Sequence, residues 1–206
     1  MTSYAVLVRG PLGVGKTTVA RAVATALGAQ YVSIDRLLDE PGVEEWKDGR
    51  ITPESFLRVN RRAVGEVAAS VERGRPVVFD GNFYYRRQIA DLVRRLRVPH
   101  RVVTLTAPLP LCIARDARRA RSYGAGATTD VYALVAKVRA GRYVDATGSV
   151  PETVERVLRL LRRMGPETPT PSRARLRRGG GSPPGAMGRR PPPARARRPR
   201  TRSRRP

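Results

Sequence analysis

The sequence predicts an α/β fold of three layers, with a five-stranded parallel sheet covered by helices on both faces. Short β-branched apolar runs alternate with helical segments five times before residue 165, the rhythm of parallel strands joined by crossover helices. A glycine-rich loop, GPLGVGKT, joins the first run to the first helix. Two later runs, VSID and VVFD, end in a carboxylate, at the strand ends where such sheets bind ligands.

Residues 4–8 (YAVLV) form a buried first strand. Residues 17–27 place Val19, Val23 and Leu27 at helical spacing, and Gly28 stops that helix. The second strand spans 31–35 (YVSID), and a polar, acidic segment follows to about Arg50. Thr52, Pro53 and Glu54 are a helix start: a capping hydroxyl, a proline in the first turn and an acid beside the positive helix end. That helix runs to about residue 72, and Gly74 ends it. Residues 76–80 (PVVFD) are the third strand. Ile89, Leu92, Val93 and Leu96 mark one face of a helix over 84–97, and 101–106 (RVVTLT) is the fourth strand. An arginine-rich helix is expected over 110–121 and a mobile connector over 122–129 (SYGAGATT). A helix over 130–140, a short fifth strand over 143–146 and a last helix over 151–164 complete the pattern.

After Met164 the composition changes. Residues 166–206 hold thirteen Arg, ten Pro, five Gly and one acid, with no apolar periodicity. Such a segment buries too little surface to offset its ordering entropy, so a disordered basic tail over 166–206 is expected beside a folded domain over 1–165. Tail and body each carry a net +12 of the chain's +24. Arginine monotony of this kind also arises from G/C-rich coding and from a shifted reading frame, without any partner. A single cysteine, Cys112, excludes an intrachain disulfide framework. The chain shows neither a membrane-length apolar segment nor a secretory leader, and a cytoplasmic location is expected.

Gly10, Pro11, Leu12, Gly13, Val14, Gly15, Lys16 and Thr17 match GxxxxGK[ST] between a strand and a helix. Glycines let successive backbone N–H groups wrap a phosphate, and the helix directs its positive end there, with Thr18 in its first turn. Lys16 is placed to neutralise β- and γ-phosphate oxygens, and Thr17 to offer its hydroxyl to Mg2+. ATP is the expected nucleotide. Asp80, at the end of VVFD, is the second candidate for the metal. Asp35, at the end of VSID, faces the place of an acceptor alcohol and is a candidate general base; an aspartate there also serves as an ordinary helix cap. Arg115 and Arg119 share a helical face and are candidates to stabilise charge on a transferring phosphoryl group, or else belong to a solvated basic face. Trp46, Tyr84 and Tyr85 are candidates for an acceptor pocket or for core packing.

With these residues assembled, residues 4–164 resemble the small P-loop kinases, nearest the group that joins the polynucleotide 5′-kinase domain, chloramphenicol phosphotransferase and zeta-toxin-like kinases. GPLGVGKT looks like the Walker A loop of this P-loop NTPase fold, and VSID like a strand-two motif whose Asp is often the general base. VVFDGNFYYRRQIADL is similar to the family's hhhDxTNxxxxxR segment, with Gly81 where Thr is common. LCIARDARR resembles its lid motif, with Asp116 where Asn is common, and residues 145–148 (DATG) look like the loop packed near adenine. The resemblance implies a sheet ordered 2-3-1-4-5, use of ATP and Mg2+, and transfer to a hydroxyl.

The reading is therefore an ATP-dependent kinase of a hydroxyl-bearing acceptor, either a small molecule or a polynucleotide 5′-end. Nucleic acid is a possible partner through the basic body and tail, although aromatic residues for base stacking are scarce at 5%. The alternative is a regulatory ATP-binding protein tethered to nucleic acid by its tail, which would not need an acid at position 35.

Overall fold

The computed structural model describes residues 3–164 apart from residue 48. The basic tail expected over 166–206 lies outside the described residues. Five strands make one parallel sheet: β1 (Ala5–Arg9), β2 (Gln30–Ser33), β5 (Val77–Gly81), β6 (His100–Thr106) and β7 (Arg142–Asp145). Their spatial order is β2-β5-β1-β6-β7. Numbered among themselves, these strands run 2-3-1-4-5, as the resemblance implies. Two further strands, β3 (Trp46–Lys47) and β4 (Arg50–Ile51), pair as a small antiparallel hairpin inside the acidic segment.

The alternation of side chains along each strand sorts the core into two layers. Ala5, Leu7, Val77, Phe79 and Val102 face α3 (Pro53–Glu72), α4 (Arg86–Leu96) and the inner side of α6 (Ala125–Lys137). Val6, Val8, Val78, Val103 and Leu105 face α1 (Lys16–Ala26), Cys112 of α5 (Leu109–Ala117) and α7 (Val150–Arg163). Burial on both faces is why the strands are continuously apolar. Arg9 ends β1 fully buried. Its guanidinium donates to the carbonyls of Val138 (2.7 Å) and Val135 (3.0 Å) at the end of α6, and to Thr104 Oγ1 (3.2 Å). A helix C-terminus carries partial negative charge, so it accommodates this cation. The first strand and α6 are thereby tied just before the glycine-rich loop.

The structure corrects three expected boundaries. The second strand ends at Ser33, and Asp35 lies in the first turn of a short helix, α2 (Ile34–Leu38). Ser33, not Asp35, caps it by accepting from the Arg36 N–H, which leaves the Asp35 carboxylate free to turn toward the cleft. The arginine-rich helix stops at Ala117 rather than residue 121. Arg119 therefore lies beyond it, and the helical face shared with Arg115 is not formed. The supposed connector over 122–129 is helical from Ala125 onward. One side chain accounts for the last two changes: buried Asp116 accepts from Ser122 Oγ (2.7 Å), Tyr123 N (2.8 Å) and Gly124 N (3.1 Å). It folds the chain back and starts α6.

Thr52 Oγ1 accepts from Ser55 N at the start of α3. Thr52→Ala is expected to cost about 1 kcal/mol, and Gly65→Ala, at an exposed helical site with open space around it, to add about 0.5–1 kcal/mol. Each kcal/mol should move the thermal midpoint by roughly 2–4 °C, in opposite directions for the two variants.

Candidate active site

The loop from Gly10 to Thr17 leaves β1 at the sheet's carboxyl edge and enters α1. Gly13 has φ +72°, and a Cβ there would lie 2.0 Å from the Cys112 carbonyl oxygen, so the loop packs directly on α5. Gly15 has φ +95° with open space around it, and it serves as the N-cap of α1 without any side-chain cap. No acid stands in the first turn of α1. Its amides and its positive end therefore open onto the cleft, an arrangement suited to phosphate.

A cleft of about 370 Å³ is lined by Gly13, Gly15, Lys16, Thr17, Thr18, Arg115 and Arg119, and is closed opposite by the turn into α7 at Gly148 and Ser149. Val14 also lines it. The other three expected loop residues stand behind it. Gly10 is pressed against Leu105 of β6, Leu12 is buried, and Pro11 borders a separate groove between α6 and the β6–β7 edge.

Two carboxylates meet beside the loop. Asp80 is the next-to-last residue of β5, where its backbone is in register with both Val8 and Ser33. It accepts from Thr17 Oγ1 at 2.7 Å and from the Tyr31 hydroxyl at 2.6 Å. Asp35 reaches back from α2 to Lys16 Nζ at 3.4 Å, and Asn82 Nδ2 lies 3.5 Å from its other oxygen. Lys16 is nearly buried, while about a quarter of the Asp35 side chain remains open. Burial pushes the Asp35 carboxyl above the ordinary carboxylate range; the Lys16 charge opposes that shift, and the nearby Asp80 charge adds to it.

Arg115 and Arg119 differ in their engagement. Arg115 donates to the carbonyls of Ala146 (2.7 Å), Thr147 (3.1 Å) and Gly148 (3.3 Å), fastening α5 to the loop after β7. Arg119 pairs with Asp116 at 3.3 Å, stacks over Tyr123, and stays 44% exposed at the cleft. Tyr84 packs edge-on against Phe56 and Tyr85, and Trp46 stands 55% exposed on the hairpin.

Sequence reasoning missed Tyr31 as a partner of Asp80 and missed the hairpin altogether. Tyr31 and Asp80 are 49 residues apart, and only the pairing of β2 with β5 brings them together. The hairpin had one usable signal, the Asp48-Gly49 pair between Trp46-Lys47 and Arg50-Ile51.

Residues 6–140 match the AAA_33 family model, described as an AAA domain. The chain belongs to this family. A relative named "Putative adenylate kinase" from Thermococcus kodakarensis is 29% identical over 169 residues, 77% of this chain and 85% of the relative. The fold matches a gluconokinase from Sinorhizobium meliloti 1021 at a TM-score of 0.63 and 19% identity, covering 77% of this chain and 91% of that one. It matches a sugar kinase from Janibacter sp. HTCC2649 at 0.64 and 19% identity, covering 79% and 95%. The chain thus has the fold of the small P-loop kinases. No helix among the described residues is long and apolar enough to cross a membrane.

Because Lys16 opposes the upward shift of Asp35, Lys16→Met should move the Asp35 carboxyl titration to still higher pH. Carbon-detected NMR of the side-chain carboxyl checks this; an unchanged or lower midpoint would contradict the pairing.

Proposed function

We propose that the protein is a phosphotransferase that moves the γ-phosphoryl group of ATP to a hydroxyl. The observation that carries this reading is the position of Asp35. It stands 3.4 Å from the loop lysine, with its carboxyl pushed above the ordinary carboxylate range by burial, as suits a base.

ATP would place its phosphates on the amides at residues 13–18, with Lys16 against the β- and γ-oxygens. The Thr17 hydroxyl and Asp80 carboxylate, already 2.7 Å apart, are a hard oxygen pair suited to Mg2+. Among the described residues there is no cluster of three or more His, Cys, Asp or Glu that could hold a metal. Bound there, Mg2+ would neutralise phosphate charge and help align the triphosphate.

Without nucleotide, Lys16 has Asp35 as its counter-charge. A triphosphate offers Lys16 a stronger partner, and the carboxylate is released to face the acceptor. Asp35 then orients the acceptor hydroxyl and takes its proton as the acceptor oxygen bonds to γ-phosphorus. The bond from γ-phosphorus to the β–γ bridging oxygen breaks, and ADP leaves. Arg119, which can exchange Asp116 for a phosphate oxygen, is assigned to the charge on the transferring group. Arg115 is assigned a positioning role, since its donors already hold the loop at 146–148. The folded unit that does this work is proposed to span residues 1–165.

The name of the Thermococcus relative points to a second acceptor class, a nucleoside monophosphate that accepts on phosphate. Product analysis with AMP distinguishes the two: formation of ADP from AMP would replace the hydroxyl reading.

Asp35→Asn is expected to lower transfer by roughly 10²–10⁴-fold while leaving ATP affinity nearly intact by calorimetry. In the wild type the acid limb of kcat/KM should fall above the ordinary carboxylate range, with the rate rising as pH rises through the Asp35 midpoint. Persistence of the limb in Asp35→Asn would assign the base elsewhere.

A further inference from the structure

Away from the phosphate cleft, a groove of about 500 Å³ opens between α6 and the edge of the sheet at β6 and β7. It is larger than the cleft at the glycine-rich loop, which is about 370 Å³, and no residue lines both. Volumes of this size are those of small-molecule sites. Its walls are mainly apolar, with Val135 and Ala136 of α6 on one side and Leu105 and Ala107 on the other. Two tyrosines frame it, Tyr132 from α6 and Tyr143 from the edge strand, and Tyr143 is 53% exposed.

The charge around the groove is one-sided. Arg9, Thr104 and Tyr143 occupy matching positions on β1, β6 and β7, so their side chains stand in one row on one face of the sheet. Thr104 and Tyr143 line the groove, and Arg9 lies one strand further in, completely buried. The Arg9 guanidinium has no carboxylate partner among the described residues. It bonds Thr104 Oγ1 and the carbonyls of Val135 and Val138, and its Nε–H, also buried, has no partner. Helix-end carbonyls offer about half a unit of negative charge. A full positive charge is therefore only partly compensated, in surroundings of low dielectric. Burial accordingly holds the Arg9 pKa below its ordinary value. A second guanidinium, Arg139, stands exposed at the groove just past the end of α6. It makes no hydrogen bond or ion pair with any described residue. No Asp or Glu is among the described residues that line the groove.

The donors on offer identify the anion. Both threonine hydroxyls in the wall are engaged, Thr104 with the Ala140 carbonyl and Thr106 with that of Val144. The end of α6 lies here, not its N-terminus, and the glycine-rich loop borders the groove through Pro11, which has no N–H. The amides that cradle phosphate are therefore missing. What remains is one guanidinium fork beside an aromatic and aliphatic cavity. A planar carboxylate takes two parallel bonds from such a fork, and a flat ring packs well against tyrosine.

We propose that this groove is a second ligand site, separate from the nucleotide cleft, for a small aromatic carboxylate. The carboxylate pairs with Arg139 in the field of Arg9, and the ring lies between α6 and the β6–β7 edge, against Val135, Ala136 and the two tyrosines. The ligand borders Pro11, so it meets the glycine-rich loop without entering the nucleotide cleft.

The test is calorimetry on the full chain with cinnamate as the probe, in saturating Mg2+ and a non-hydrolysable ATP analogue. Cinnamate should bind at one site per chain with the analogue in place. Cinnamamide, which keeps the shape and lacks the charge, should bind about tenfold more weakly, the scale of a hydrogen bond to a charged group. Arg139→Gln changes an exposed side chain, and an unchanged thermal midpoint will show that its fold is intact. It should weaken cinnamate by about tenfold and leave cinnamamide unaltered, whereas Tyr143→Ala should weaken both. Loss of cinnamate binding when the analogue is added, equal affinity for acid and amide, displacement by AMP, or wild-type binding by Arg139→Gln overturns the proposal. The absence of any cinnamate binding does the same. The readout is binding alone, so the outcome does not depend on phosphoryl transfer.

Discussion

A nearly buried ammonium cannot stand alone, and Lys16 is such a group. With 6% of its side chain exposed, it requires a negative partner, and the architecture around the loop supplies Asp35. In the free protein the partner is Asp35, which holds α2 against the start of α1. Lys16 also lines the cleft, where the proposed nucleotide phosphate would take the place of Asp35. In the proposed mechanism that exchange would change Asp35 from paired to free, so the two carboxyl-edge loops would be coupled through one charge. Asp80 completes the arrangement from the central strand, held by Thr17 and Tyr31 on either side.

The turn between α5 and α6 depends on a different constraint. Asp116 gathers two backbone amides, one hydroxyl and Arg119 around a single buried carboxylate. These bonds hold the Asp116 carboxyl below the ordinary carboxylate range, against the effect of burial. An amide side chain at this position would offer one acceptor oxygen in place of two and no charge for the arginine. The substitution of Asp for the Asn common in related lids therefore accompanies a turn that is already organised at 122–124. From there α6 runs back to Arg9, whose guanidinium closes its far end beside the glycine-rich loop.

Much of this could be read in advance because the determining interactions are local. The strand-loop-helix grammar of residues 4–27, the cap-proline-acid start at Thr52 and the apolar runs of the sheet each depend on neighbours within a few residues. What could not be read turns on contacts between distant segments. Asp35 was expected at a strand end, but Ser33 captures the helix start and carries Asp35 into α2. The lid helix was expected to continue to residue 121, but Asp116 ends it by binding amides six to eight residues ahead. Arg115 and Arg119 were equivalent by spacing; only the carbonyls after β7 separate a fastened arginine from one facing the cleft.

The sequence by itself determined the layered α/β class, the phosphate loop and the identity of the two carboxylates beside it, since periodicity and loop chemistry are properties of short segments. Only the tertiary structure decided that Lys16 pairs with Asp35, that Tyr31 holds Asp80, and that Arg115 is fastened to the loop after β7. Those groups come from separate elements, and their distances are set by strand order and helix packing, which no local pattern encodes.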